Sequence, residues 1–218
     1  MTGNHSYIAA FDLDKTLLSV NSSRLVVKMS RSFGLMTKQE YYQAIYYSFI
    51  YKFDLKDPNE ILLSMMQWVK GLKEKEVIHL AGKHIVPKMQ KNIRQEMIKE
   101  LEFHRRNNAR LVLLSSALPY FCNPIAEYLR MDDVVCSLLE VIDGYFTGKP
   151  IRKLVFGEEK AVRMKEYCIA SNFKLASSWY YGDAYSDRII LQSVWHPVCV
   201  KPEIKLGRLA KQKGWKII

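Results

Sequence analysis

Three acidic residues stand where short apolar runs end. Asp12 and Asp14 follow Tyr7-Ile8-Ala9-Ala10-Phe11, and Asp183 follows Ser178-Trp179-Tyr180-Tyr181-Gly182. A third run, Leu111-Val112-Leu113-Leu114, ends in Ser115 and Ser116. An apolar run that stops at polar residues reads as a buried strand passing into a loop. In open α/β sheets ligands bind beyond the carboxyl ends of the strands, so these distant side chains are expected to converge there. Three carboxylates in a partly dry crevice repel one another, and a divalent cation relieves that repulsion. Oxygen ligands, with no His or Cys at the strand ends, favour magnesium over zinc.

Such a site suits phosphoryl transfer. A carboxylate is ionised at neutral pH, with a reference pKa of about 3.9 for Asp, and needs no base to become a nucleophile. With the phosphoryl oxygens screened by cations, Asp12 can attack phosphorus and form an acyl-phosphate. Ser115 can hydrogen-bond a phosphoryl oxygen. Lys160, at the head of a predicted helix, can neutralise charge on nucleophile and phosphate. Asp14 can protonate the leaving oxygen and then deprotonate the attacking water, a role that calls for a raised pKa.

The elements that must position these groups alternate. Further apolar runs cover Val134 to Leu139 and Pro197 to Val200. Helical spacing covers Lys88 to Arg106, Tyr120 to Leu129 and Glu158 to Ala170. Strands alternating with helices predict an α/β fold, a mostly parallel sheet covered by helices. From Val20 to Val86 only helical signals occur: Ser22–Phe33, Thr37–Tyr51, Pro58–Val69 and Glu74–His84, with Thr37 and Glu40 spaced as a capping box. An all-helical insert over 20–86 is expected, with residues 1–19 and 87–218 forming the core. Pro87 is expected to end the preceding helix. Asp143-Gly144 between apolar residues predicts a hairpin.

The motifs resemble those of a known family. Phe-Asp-Leu-Asp-Lys-Thr-Leu at 11–17 resembles the DxDxT signature of the haloacid dehalogenase superfamily. Leu-Val-Leu-Leu-Ser at 111–115 resembles its second motif, Gly157-Glu158-Glu159-Lys160 the segment carrying its lysine, and Gly182-Asp183-Ala184-Tyr185-Ser186-Asp187 its GDxxxD motif. Order and spacing agree over essentially the whole chain. More narrowly it resembles subfamily IB, the phosphoserine-phosphatase-like branch, with a Rossmann-like core and a helical cap (type C1) after the first motif. The resemblance implies Asp12 as nucleophile and Asp14 as acid and base. It implies phosphate contacts from Thr16, Lys160 and Ser115 or Ser116. Asp12, Asp14 (through its carbonyl) and Asp183 would hold magnesium, with Asp187 supporting them from behind. Two positions depart from the family. Lys15 replaces a small residue, so its side chain is expected to point away from the phosphate. Asn21 stands where phosphoserine phosphatases place a glutamate that reads the substrate's amino group.

Composition bounds the rest. With 218 residues, 49% of them hydrophobic and 25% charged, the chain suits one good-sized domain or a domain with an insert. No run reaches the ~18–20 apolar residues of a membrane span. Met1 to Tyr7 does not read as a signal peptide. Cys122, Cys136, Cys168 and Cys199 form no paired spacing, so neither zinc nor a disulfide framework is indicated, and a cytoplasmic setting is expected. The net charge of +11 favours anionic partners. A small phosphorylated substrate is expected, but no specific nucleic acid, because aromatic-and-basic recognition motifs are missing. The five histidines read as structural or surface residues, and the tyrosines of 41–51 as packing within the insert. The same residues leave open a phosphotransferase, a phospho-accepting signalling module, or a basic nucleic-acid- or membrane-binding protein with a vestigial site. Oligomeric state is not encoded legibly.

Overall fold

The computed structural model describes residues 5–52 and 58–218. The chain opens with β1 (Tyr7–Phe11) and enters a series of helices: α1 (Ser22–Ser32), α2 (Lys38–Lys52), α3 (Pro58–Met66), α4 (Glu74–Leu80) and α5 (Val86–Gln90). It returns through α6 (Gln95–Arg106) to β2 (Ala109–Ser115), α7 (Pro119–Tyr128) and β3 (Asp133–Cys136). A hairpin of β4 (Leu139–Ile142) and β5 (Tyr145–Pro150) precedes α8 (Glu158–Ala170), β6 (Trp179–Gly182) and α9 (Arg188–Ser193). The chain closes with β7 (His196–Cys199), α10 (Ile204–Lys213) and β8 (Lys216–Ile217).

Six strands form one sheet in the order β3-β2-β1-β6-β7-β8, every pairing parallel. This is the Rossmann-like arrangement. Alternate residues of the strands feed two cores. Phe11, Leu111, Leu113 and Tyr181 pack on one face, and Ile8, Ala10, Val112, Leu114 and Tyr180 on the other. Burial on both faces explains the unbroken apolar runs, each large side chain contributing roughly 1.5–3 kcal/mol. The strand order reverses at β1. Beside it runs β6, and their carboxyl ends form the crevice where such sheets take ligands.

Several elements differ from the sequence reading. The run Val134 to Leu139 is two strands, because the chain leaves the sheet after Cys136 to build the β4–β5 hairpin. Its turn has Asp143 at φ 51° and Gly144 at φ 79°, the twist that a two-residue hairpin demands. The helix expected over Lys88 to Arg106 is broken at 91–94. There the backbone pairs with the chain leaving β1: Ser19 N–H donates to Asn92 O at 2.8 Å and Arg94 N–H to Leu17 O at 2.9 Å. Pro87 does not end the preceding helix. It sits in the first turn of α5, where its missing N–H costs little. The widened turn over Ala81–Ile85, closed by Val86 N–H to Ala81 O, carries the helical path from α4 through it. Tyr42 and Tyr46, expected to pack within the insert, are instead exposed. The capping box is present: Thr37 N–H donates to Glu40 Oε2 at 2.7 Å, and Glu40 N–H to Thr37 Oγ1 at 3.2 Å. Among the described residues no helix is long and apolar enough to cross a membrane.

Candidate active site

Asp12 leaves β1 with its N–H still bonded to Tyr181 O at 2.9 Å, so the strand pairing sets its height in the crevice. The chain then closes a tight loop, Leu17 N–H reaching Asp12 O at 3.2 Å and Leu18 N–H reaching Leu13 O at 2.9 Å. Lys15 takes a left-handed conformation, φ 54°, to make that turn. Thr16 is fully buried, and its Oγ1 has no hydrogen-bond partner within the protein. Asp14 turns to the head of α1, accepting from Ser22 N–H at 2.7 Å and Ser22 Oγ at 3.0 Å. A carboxylate at a helix N-terminus gains from the unsatisfied amides and the dipole there. Asn21 is engaged locally, its Oδ1 accepting from Ser23 Oγ at 2.5 Å.

Lys160 enters from the first turn of α8. Its buried ammonium donates to Asp12 Oδ1 at 2.7 Å, Asp187 Oδ1 at 2.8 Å and the Tyr180 hydroxyl at 3.1 Å. Asp183 follows β6 directly, and a short turn brings Asp187 back beneath it. Gly182 makes this possible. A Cβ there would meet Asp187 Oδ2 at 2.5 Å and Tyr180 Cε1 at 2.9 Å. Ser115 ends β2; since Phe11 pairs with Leu113, it stands at the same end of the sheet as Asp12. Its buried Oγ accepts from Ala117 N–H at 3.1 Å. Ser116, one residue on, is half-buried.

Oxygens of Asp12, Asp183 and Asp187 lie within 4.8 Å of one another, all three residues buried. Burial pushes the Asp12 carboxyl well up; Lys160 opposes it, while Asp187 and Asp183 add to it. Burial raises Asp14 too, against the two Ser22 hydrogen bonds. Asp183 is pushed up to about 7 by burial and then by Asp187. Burial on its own would lower Lys160, but Asp12, Asp187 and Tyr180 hold it well above the usual lysine value. Carboxylates this crowded are short of positive charge, and Lys160 alone does not satisfy them. Asp187 Oδ2 is buried with no hydrogen-bond partner. An all-oxygen donor set with one orphaned carboxylate oxygen fits a magnesium ion.

Asp12, Lys160, Asp183 and Asp187 thus come together, Ser115 ends its strand on the same side of the sheet, and two further residues take part. Asp187, expected behind the metal ligands, has a carboxylate oxygen within 4.8 Å of those of Asp12 and Asp183. Tyr180 and Ser22 were not singled out. Alternation along β6 places Tyr180 on the face of β6 that packs with Ile8 and Ala10, the one signal that pointed to it. Lys15, expected to point away, is exposed, and its charge still draws down Asp183 and Asp14.

Comparison with known proteins agrees with this geometry. A family model described as haloacid dehalogenase-like hydrolase matches residues 9–192. The chain is 27% identical to an inhibition of morphological differentiation protein of Streptomyces azureus, over 99% of this chain and 80% of that one. It is 26% identical to a phosphoserine phosphatase of Mycobacterium tuberculosis, over 96% of this chain and 69% of that one. In fold it matches a phosphoserine phosphatase solved as a phospho-aspartyl intermediate analogue, with TM-score 0.72 at 15% identity over 98% of this chain and 93% of the other. The matched segment contains both acidic motifs and the lysine between them, and the chain therefore belongs to the haloacid dehalogenase-like hydrolases.

Proposed function

We propose that the chain is a magnesium-dependent phosphomonoesterase that acts on a small phosphorylated metabolite through an aspartyl-phosphate on Asp12. The observation that carries this reading is Lys160: its ammonium, 2.7 Å from Asp12, opposes the upward push of burial and screens the carboxylate for approach to an anion. Asp12, Asp183 and the Asp14 carbonyl would hold magnesium, with Asp187 beside them. Bound there, the ion supplies charge neutralisation for the phosphate.

In the first half-reaction an Asp12 oxygen bonds to phosphorus as the bond to the ester oxygen breaks. Asp14 gives its proton to the departing oxygen. Burial moves its pKa upward, the direction that duty calls for. In the second half-reaction water attacks phosphorus, Asp14 takes the proton, and the bond to Asp12 breaks. Thr16, Ser115 and Ser116 supply hydroxyls for the phosphoryl oxygens, and the unpartnered Thr16 Oγ1 supports that role. Lys160 stays charged throughout, since its neighbours raise its pKa.

Residues 20–86 would form the cap that selects substrate, and 1–19 with 87–218 the catalytic core. The relative from Mycobacterium tuberculosis makes a phosphoserine-like ester a natural first substrate to assay. Asn21, held by Ser23, offers no negative charge for an amino group, which argues for a substrate other than phosphoserine itself. A reduced, cytoplasmic setting suits the four free thiols. The experiment is hydrolysis of a generic phosphomonoester with and without magnesium. Wild type should turn over only with the metal, and Asp12→Asn should show no turnover. Activity retained in Asp12→Asn overturns the assignment.

A further inference from the structure

None of the four tryptophans has a part in the site above, and three of them share one place on the surface. Trp179, Trp195 and Trp215 line one groove of about 670 Å³ at the amino ends of β6 and β7. Trp179 begins β6, whose other end reaches Asp183, so groove and catalytic crevice are separated by a strand length, roughly 10 Å. Trp195 is 75% exposed, an uncommon state for so large an apolar side chain. Trp179 is already stacked on His196, with ring centroids 4.2 Å apart, which leaves Trp195 and Trp215 to offer ring surface. Gly214 ends α10 in a left-handed turn that sets Lys213 and Lys216 on either side of Trp215. Among the described residues no Asp or Glu lines the groove, and Lys213 forms no ion pair. Lys216 has one distant partner, Glu100 at 3.5 Å.

We propose that this groove binds a nucleotide, the base stacking on Trp195 and Trp215 and the phosphates lying against Lys213 and Lys216. Every base presents a π-face, and aromatic side chains interleaved with cations are the chemistry that recognises base and phosphate together. A neutral apolar partner would leave Lys213 beside it without a counter-charge and Lys216 with only its distant Glu100, and a cation would be repelled. The volume lies in the range of small-molecule sites, and the net charge of +11 draws anions toward the surface. The sequence hid this arrangement because its four contributors come from α10, β8 and two separate loops. A free nucleotide and the end of a single strand share this chemistry.

The test uses the full chain carrying Asp12→Asn, so that no probe is consumed. ATP, adenosine, tripolyphosphate and a short oligodeoxyadenylate are titrated against tryptophan fluorescence. ATP should quench to saturation, with adenosine and tripolyphosphate at least tenfold weaker. Trp195→Ala, an exposed position that folding does not need, should weaken ATP by about tenfold or more. Lys213→Glu with Lys216→Glu should remove the salt dependence. An oligonucleotide tighter than ATP assigns the site to strand ends; a weaker one assigns it to free nucleotide. Two results overturn the proposal: no saturation by millimolar ATP, or ATP binding that Trp195→Ala leaves unchanged and inorganic phosphate displaces, which would place it in the catalytic crevice.

Discussion

Asp187 gives one oxygen to Lys160 and keeps the other buried and unpaired, and it holds that position because Gly182 has no side chain. The close approach belongs to one atom pair, so Gly182→Ala is a sharp probe. The added methyl must displace Asp187 or Tyr180, both packed in the core, at a cost of about 1–3 kcal/mol in stability. Activity should fall roughly 100-fold, because a displacement of about 1 Å in a positioning group has that effect. Steady-state kinetics and thermal unfolding read the two consequences separately. Unchanged activity would show that Asp187 need not stand this close to Asp12 and Asp183.

At the scale of elements, the β4–β5 hairpin grips the strand-like segment between α3 and α4. Gly71 N–H donates to Phe146 O at 2.8 Å, Phe146 N–H to Leu72 O at 3.0 Å, and Glu74 N–H to Gly144 O at 2.9 Å. Gln67 Nε2 adds a bond to Gly148 O at 2.7 Å, and the Tyr120 hydroxyl donates to Glu74 Oε1 at 2.5 Å. The segment between α3 and α4 is thereby tied to the hairpin by backbone as well as side-chain bonds. Gly144→Val, forced into φ 79°, should cost about 1–2 kcal/mol and loosen this tie. KM should rise more than kcat falls, since the chemistry at Asp12 is untouched. Equal changes in both would show that the hairpin matters only for stability. At the head of α2, Thr37→Ala removes half of the capping box and should cost about 1 kcal/mol in a denaturant titration.

For the whole molecule, one face of the sheet is anchored to α6 by a buried polar chain. Tyr181 O–H donates to Glu100 Oε2 at 2.6 Å, so Tyr181 accepts from His104 Nε2–H at 2.8 Å, and His104 Nδ1 accepts from Tyr7 O–H at 2.9 Å. The bond to Glu100 thus places a proton on Nε2, and the lowered pKa of the ring leaves Nδ1 free to accept from Tyr7. Burial pushes it down to about 4, with Glu100 opposing. The unfolded chain takes up the proton near pH 6.5 and the folded chain only near 4. The contribution of His104 to stability is therefore complete above pH 6.5 and is lost as pH falls to 4, on the order of 3 kcal/mol. Buried carboxylates with raised pKa values act in the opposite sense. The difference between wild type and His104→Gln therefore isolates the histidine. Chemical denaturation from pH 4 to 7 should give the variant the flatter loss on acidification; parallel curves would contradict the neutral assignment.

The strands of the catalytic end were legible because a strand buried on both faces must be apolar throughout, and the first polar residue then marks its carboxyl end. Asp12, Ser115 and Asp183 follow from that rule alone, and Lys160 from its place at a helix start. The family resemblance added their roles. The breaks were not legible. The helix over Lys88 to Arg106 stops at 91–94 because the backbone there bonds to residues 17–19, more than seventy positions away, and no local propensity registers such a partner. Tyr180 and the approach of Asp187 to Asp12 depend in the same way on contacts between elements, through Lys160. The Trp195 groove does too, for periodicity within one element says nothing about which side chains from other elements will share its surface. Sequence determined which residues end the strands; tertiary structure decided what stands opposite them.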